Sequence, residues 1–159
     1  MIENQKKIIE LFVDQELFIA ALYERFSNSF PEHRDFWLHM ASEERTHADW
    51  IQQLLSGEIS DKVYFAEGKT RINTAKTYIE YLKNIISGID NKAIDMLKAL
   101  ALSKDLETSL MERNMFKHFE SDSSEVKKVF AYLEKQQALH CERITEKLSH
   151  AHDVVYPHR

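Results

Sequence analysis

Five residues stand out because their types can ligate a metal and their spacing can bring them together: Glu16, Glu44, His47, Glu107 and His140. Glu44 and His47 lie three apart in the stretch SEERTHADWI. On a helix such a pair points to one side, so a single turn offers a carboxylate oxygen and an imidazole nitrogen to one ion. Both interrupt an apolar row, Trp37, Met40, Ile51 and Leu54, whose steps of three and four residues keep it on one helix face. Glu16 interrupts Phe12 and Ile19 in the same manner, and Glu107 lies beyond Leu97 and Leu100. His140, together with Gln137, breaks the row Leu133, Ile144, Leu148. A carboxylate buried without a partner shifts its pKa upward or destabilises the fold. Several carboxylates converging with two histidines are compensated by cations, and their mixture of oxygen and nitrogen donors suits iron, manganese or zinc. A fully hydrogen-bonded polar network is the metal-free way to satisfy the same groups.

The elements that must position these residues read as helices, because apolar residues recur at helical spacing along almost the whole chain. A first helix is predicted from about Asn4 to Ser27. A second opens at Pro31, suited to a first helical turn, and ends near Gly57. The irregular stretch SGEISDKVYFAEGKTRIN follows, and Thr70–Ser87 reads as a shorter helix closed by Gly88. Asp90 is the expected cap of a third long helix reaching Phe119. Asp122 and Glu125 are spaced like a capping box for a fourth, which runs to about His150. Residues 1–150 are therefore expected to form one domain, with a flexible tail over 151–159. Short breaks after the first and third long helices imply antiparallel neighbours, and the long middle connection implies a crossover.

The chain also repeats itself. EERTHADWI (43–51) aligns without gaps on QQALHCERI (136–144), and DQE (14–16) has its counterpart in DLE (105–107). Glu16 precedes His47 by 31 residues and Glu107 precedes His140 by 33. Two similar helical hairpins thus contribute to one all-α bundle.

With these motifs the chain resembles the ferritin-like di-iron carboxylate superfamily, in particular its rubrerythrin-like branch, here without a rubredoxin domain. The family takes one glutamate from each of two helices and a Glu-x-x-His from each of the other two. The resemblance, spanning about residues 8–148, implies a ferritin-like antiparallel four-helix bundle whose long crossover carries an additional short helix. It implies Glu16, Glu44, His47, Glu107 and His140 as ligands of two iron ions, with manganese or zinc as substitutes. The implied activity is oxidation of the reduced metal by hydrogen peroxide or oxygen, of peroxidase or ferroxidase type, with electrons from an external donor. A homodimer is compatible with the family.

The pattern breaks at Gln137, which stands where the second Glu-x-x-His has its glutamate. A neutral amide ligates weakly and cannot bridge two ions. Glu134, one turn earlier, could lean in, but a helical turn is about 5.4 Å of rise. Lys104 lies one turn before Glu107 and could compete for the carboxylates. Three states remain open: an asymmetric two-metal centre, a single-metal site held chiefly by Glu16, Glu44 and His47, and a metal-free bundle acting as an interaction or sensing module. Tyr23, two turns from Glu16, is a candidate hydrogen-bond donor to the pocket, whereas Glu24, Glu43 and Glu142 are expected to face solvent.

The bulk composition excludes other classes. Three glycines and two prolines in 159 residues are too few for a turn-rich β fold. A net charge of −5 without a basic stripe argues against nucleic acid. The longest apolar run, Leu17–Tyr23, is too short to span a bilayer, and MIENQKKIIE lacks the core of a signal peptide. Cys141 is the single cysteine, which rules out an intramolecular disulfide or a CxxC metal site and makes the cytoplasm the expected compartment.

Overall fold

The computed structural model describes residues 3–56, 62–65, 70–90, 93–113 and 119–157. Among the described residues the architecture is predominantly helical, with five α-helices: α1 (Glu3–Ser29), α2 (Arg34–Gln53), α3 (Thr70–Asp90), α4 (Met96–Arg113) and α5 (Ser124–Val155). A 3₁₀ turn, Pro31–His33, joins α1 to α2. Pro31 has no N–H to lose there, and it disfavours the helical conformation at Phe30, which sits at φ −126°. Two short strands, β1 (Tyr64–Phe65) and β2 (Phe119–Glu120), pair antiparallel with Tyr64 opposite Glu120. The Ser121 hydroxyl donates to the Lys62 carbonyl at 2.5 Å, so the crossover is tied to the approach to α5.

Helix α1 packs along α2, α4 along α5, and α3 against α1, while α2 touches α5. Ile8, Ile9 and Phe12 near the start of α1 share a cluster with Ile51 at the end of α2, so these two helices run antiparallel. Met96 and Ala99 at the start of α4 likewise share a cluster with Leu148 and Ala151 late in α5. The core is split into two apolar layers. One contains Ile8, Ile9, Phe12, Ile51, Leu54, Val126, Phe130 and Leu133. The other is built around Trp37, which is fully buried with its ring centroid 5.5 Å from Tyr23 and 4.8 Å from Phe26.

Several boundaries differ from the sequence reading. Helix α3 is not short: its 21 residues exceed the 18 of α4, and Gly88 lies inside it rather than closing it. Apolar packing of Ala75, Tyr78, Leu82 and Ile85 carries the helix past a residue of low propensity. Asp90 belongs to α3, and Asp95 caps α4 instead, accepting the Lys98 backbone N–H at 2.8 Å. Helix α4 stops at Arg113, leaving Phe119 to β2. Helix α5 is capped by Ser123, whose hydroxyl accepts the Val126 N–H at 3.5 Å, in place of the expected Asp122–Glu125 box. It continues to Val155, five residues beyond the expected end at His150. Helix α2 ends at Gln53, short of the expected end near Gly57, which itself lies outside the described residues. Among the described residues no helix is long and apolar enough to cross a membrane.

Candidate metal centre

Between the two apolar layers lies a layer of polar side chains. Glu16 comes from α1, Glu44 and His47 from α2, Glu107 from α4, and Gln137 and His140 from α5. All are buried: Glu16, Glu44 and Glu107 are each 1% exposed and His140 is fully enclosed. Each one interrupts an apolar helix stripe, so the packing that buries its neighbours buries it as well.

Glu44 is at the centre. Its Oε2 lies 3.2 Å from His47 Nδ1 and its Oε1 lies 2.7 Å from His140 Nδ1, so one carboxylate faces both histidines. Each histidine has a second glutamate behind it: Glu16 Oε2 is 3.7 Å from His47 Nδ1, and Glu107 Oε1 is 3.8 Å from His140 Nδ1. The two imidazoles stack with centroids 4.9 Å apart and planes at 25°. The donor atoms of Glu44, His47 and His140 all lie within 4.8 Å of one another, and this buried group could hold a metal ion.

Two outer contacts complete the layer. The Tyr23 hydroxyl donates to Glu107 Oε1 at 2.5 Å, fulfilling its expected part as a donor to the pocket. Glu43 does not simply face solvent, as the sequence reading had it. Its Oε2 lies 2.9 Å from His140 Nε2 and is also paired with Arg143 Nη1, while its Oε1 lies 3.4 Å from His39. Helical periodicity points Glu43 away from the Glu44 stripe. The contact arises because α5 crosses beside it, and the sequence carries no signal for that crossing. Gln137 is buried one turn before His140, whereas Glu134 is only half-buried. Glu16, Glu107 and Glu134 lie outside the group of three converging donors among the described residues, so the compact trio contains His140 where the expected single-metal site had Glu16.

Without a metal, protons supply the positive charge. Burial pushes Glu16 up to about 8, reinforced by the Glu44 charge and opposed by His47. Burial and Glu44 likewise hold Glu107 well above the ordinary carboxylate range, against His140 and Tyr23. Burial also acts to raise Glu44, but the charge of His140 and its hydrogen-bonding contacts outweigh it, and Glu44 stays well below the usual value. For the histidines burial favours the neutral ring. Contacts with Glu16 and Glu44 overcome it at His47, which rises to about 9, and Glu44 and Glu43 overcome it at His140, which rises to about 11. Burial raises Glu43, but His140 and Arg143 bring it down to about 2. Near neutral pH these shifts favour two imidazolium rings, ionised Glu44 and Glu43, and a protonated Glu16.

The balance of charge is close, yet the alignment is poor. His140 Nδ1 and Nε2 approach carboxylates within ion-pair distance but form no aligned hydrogen bond, and Glu44 Oε1 and Glu107 Oε2 are buried without one. The two carboxylate oxygens have unused lone pairs, which a cation would satisfy once the imidazoles give up their protons. Comparisons with protein-family models, with curated proteins and with solved structures find no match for this chain.

Proposed function

We propose that α1, α2, α4 and α5 form a ferritin-like four-helix bundle, with α3 as the helix added in the crossover, and that the buried layer is an asymmetric two-metal centre of rubrerythrin-like type. Glu44 carries this reading: its two oxygens face two different histidines, and each histidine has its own second glutamate. One position would be held by Glu16 and His47, the other by Glu107 and His140, with Glu44 shared between them. The donor set fits first-row ions such as iron, with manganese or zinc as substitutes. Gln137 stands where a second bridging carboxylate would be, so three carboxylates leave two divalent ions with a net charge of about +1.

Bound iron would supply one-electron redox chemistry towards hydrogen peroxide or oxygen, and an external reductant would restore it. The chain's own residues perform the remaining tasks. The apolar layers above and below exclude water from the centre. Tyr23 holds Glu107 through Oε1 and leaves Oε2 free to ligate. His140 keeps its outer nitrogen on Glu43 while Nδ1 turns inward.

A second reading has its own support. Glu44, His47 and His140 alone bring three donors within 4.8 Å, enough for a single ion. The imidazolium–carboxylate pairs also compensate much of the buried charge without any metal, as an interaction or sensing module would require. Anaerobic titration with ferrous iron separates these states. Two equivalents per chain, followed by rapid oxidation with peroxide, supports the two-metal reading, and one equivalent supports the single-ion site. No uptake, with stability unchanged in Glu44→Ala and His47→Ala, would refute both.

A further inference from the structure

We propose that Glu43 is a positioning residue for His140, holding its outer nitrogen while the inner one faces the metal position; this rests on the two-metal reading above. Ligation through Nδ1 requires the ring proton on Nε2. A carboxylate beside Nε2 favours that tautomer and raises the donor strength of the inner nitrogen. Glu43 Oε2 is 2.9 Å from His140 Nε2, while Nδ1 of the same ring is 2.7 Å from Glu44. Arg143 pairs with the same Glu43 oxygen and restrains the carboxylate from turning away to solvent. His140 is fully enclosed, so water does not compete for the outer nitrogen.

The internal repeat shows that this arrangement occurs once. Glu43 aligns with Gln136 and Arg143 with Trp50. The symmetry-related clamp on His47 would therefore be built from a neutral amide and an indole, neither able to supply the charge. Among the described residues the ion pairs of His47 run through Nδ1 alone, to Glu16 and Glu44. Two hairpins of similar sequence thus place their histidines in unequal surroundings. The clamp joins the two halves, since Glu43 is on α2 and both His140 and Arg143 are on α5.

Anaerobic cobalt(II) titration, followed by visible absorption and by paramagnetically shifted NMR signals, tests the role. The unsubstituted protein is expected to fill two positions in unequal steps. Glu43→Gln weakens the step that engages His140 by about 10- to 100-fold and leaves the other step in place. Glu43→Asp recovers part of the loss. The exchangeable Nε2–H signal of cobalt-bound His140 is expected to be sharp in the unsubstituted protein and to exchange faster in Glu43→Gln, while the His47 signal is unchanged. A general packing defect would disturb both signals. Arg143→Gln, at a partly exposed position, gives a smaller loss in the same step and serves if Glu43→Gln does not fold. If only one cobalt binds, the same comparison applies to that step. Identical titrations of unsubstituted protein and Glu43→Gln overturn the positioning role and leave the metal reading standing. Failure of the unsubstituted protein to bind cobalt overturns both.

Discussion

Metal binding to this centre has to displace protons, and the shifted pKa values of its side chains set their number. At pH 7 His47, raised to about 9, and His140, raised to about 11, each hold a proton on a nitrogen that a metal would need. Glu16, raised to about 8, is about nine-tenths protonated at that pH. Glu107 is likewise held well above its usual range by burial and by Glu44. A single ion on Glu44, His47 and His140 should therefore release about two protons, and two ions that also engage Glu16 should release at least about three. The logarithm of the apparent affinity of the single-ion complex should rise by about two per pH unit below the histidine values. Calorimetric titration with cobalt(II) in buffers of different ionisation enthalpy counts the protons directly, and repeating it between about pH 6 and pH 8 gives the slope. Release of less than about one proton, or an affinity independent of pH, would refute the assignment of imidazolium rings paired with Glu44.

Three further outcomes are expected. The metal-free protein should lose stability as pH rises from about 5 to 9. The folded chain holds protons on Glu16 and His47 that the unfolded chain has already released, at about 1.4 kcal/mol per pH unit for each retained proton; denaturant unfolding across this range that stays flat or rises contradicts the raised values. Gln137→Glu adds a carboxyl to an already acidic layer. It should destabilise the metal-free protein by on the order of 1–3 kcal/mol and increase metal uptake, and equal uptake by dialysis and metal analysis counts against a missing bridge. Gly88→Ala should stabilise the protein by about 0.5–1 kcal/mol, because Gly88 lies within α3 and an added Cβ meets nothing within 4 Å; a lowered thermal midpoint would place the residue outside a regular helix.

Much of the helix pattern was readable from spacing alone, because burial of a helix stripe depends on local periodicity. The polar interruptions at Glu16, Glu44, His47, Gln137 and His140 were legible for the same reason: each sits on a stripe that packing must bury. Ends and caps were less legible. Asp90 and Asp95 are equally good caps in sequence, and the apolar packing of α3 decides between them by carrying that helix through Gly88 to Asp90. Sequence placed Glu134 and Gln137 one turn apart on the same helix. The structure buries Gln137 and leaves Glu134 half-buried, outside the donor group, since a turn of rise separates them from a common centre.

The sequence by itself determined that this chain is helical, that it repeats, and that acidic and imidazole side chains occupy buried stripes, because these properties follow from residue type and a period of 3.6. Only the tertiary structure decided which of those side chains face one another. Glu44 lies between two histidines because α2 and α5 meet there, and Glu43 reaches His140 across the same crossing. Contacts between residues about a hundred positions apart depend on how helices cross, and no local pattern encodes that crossing.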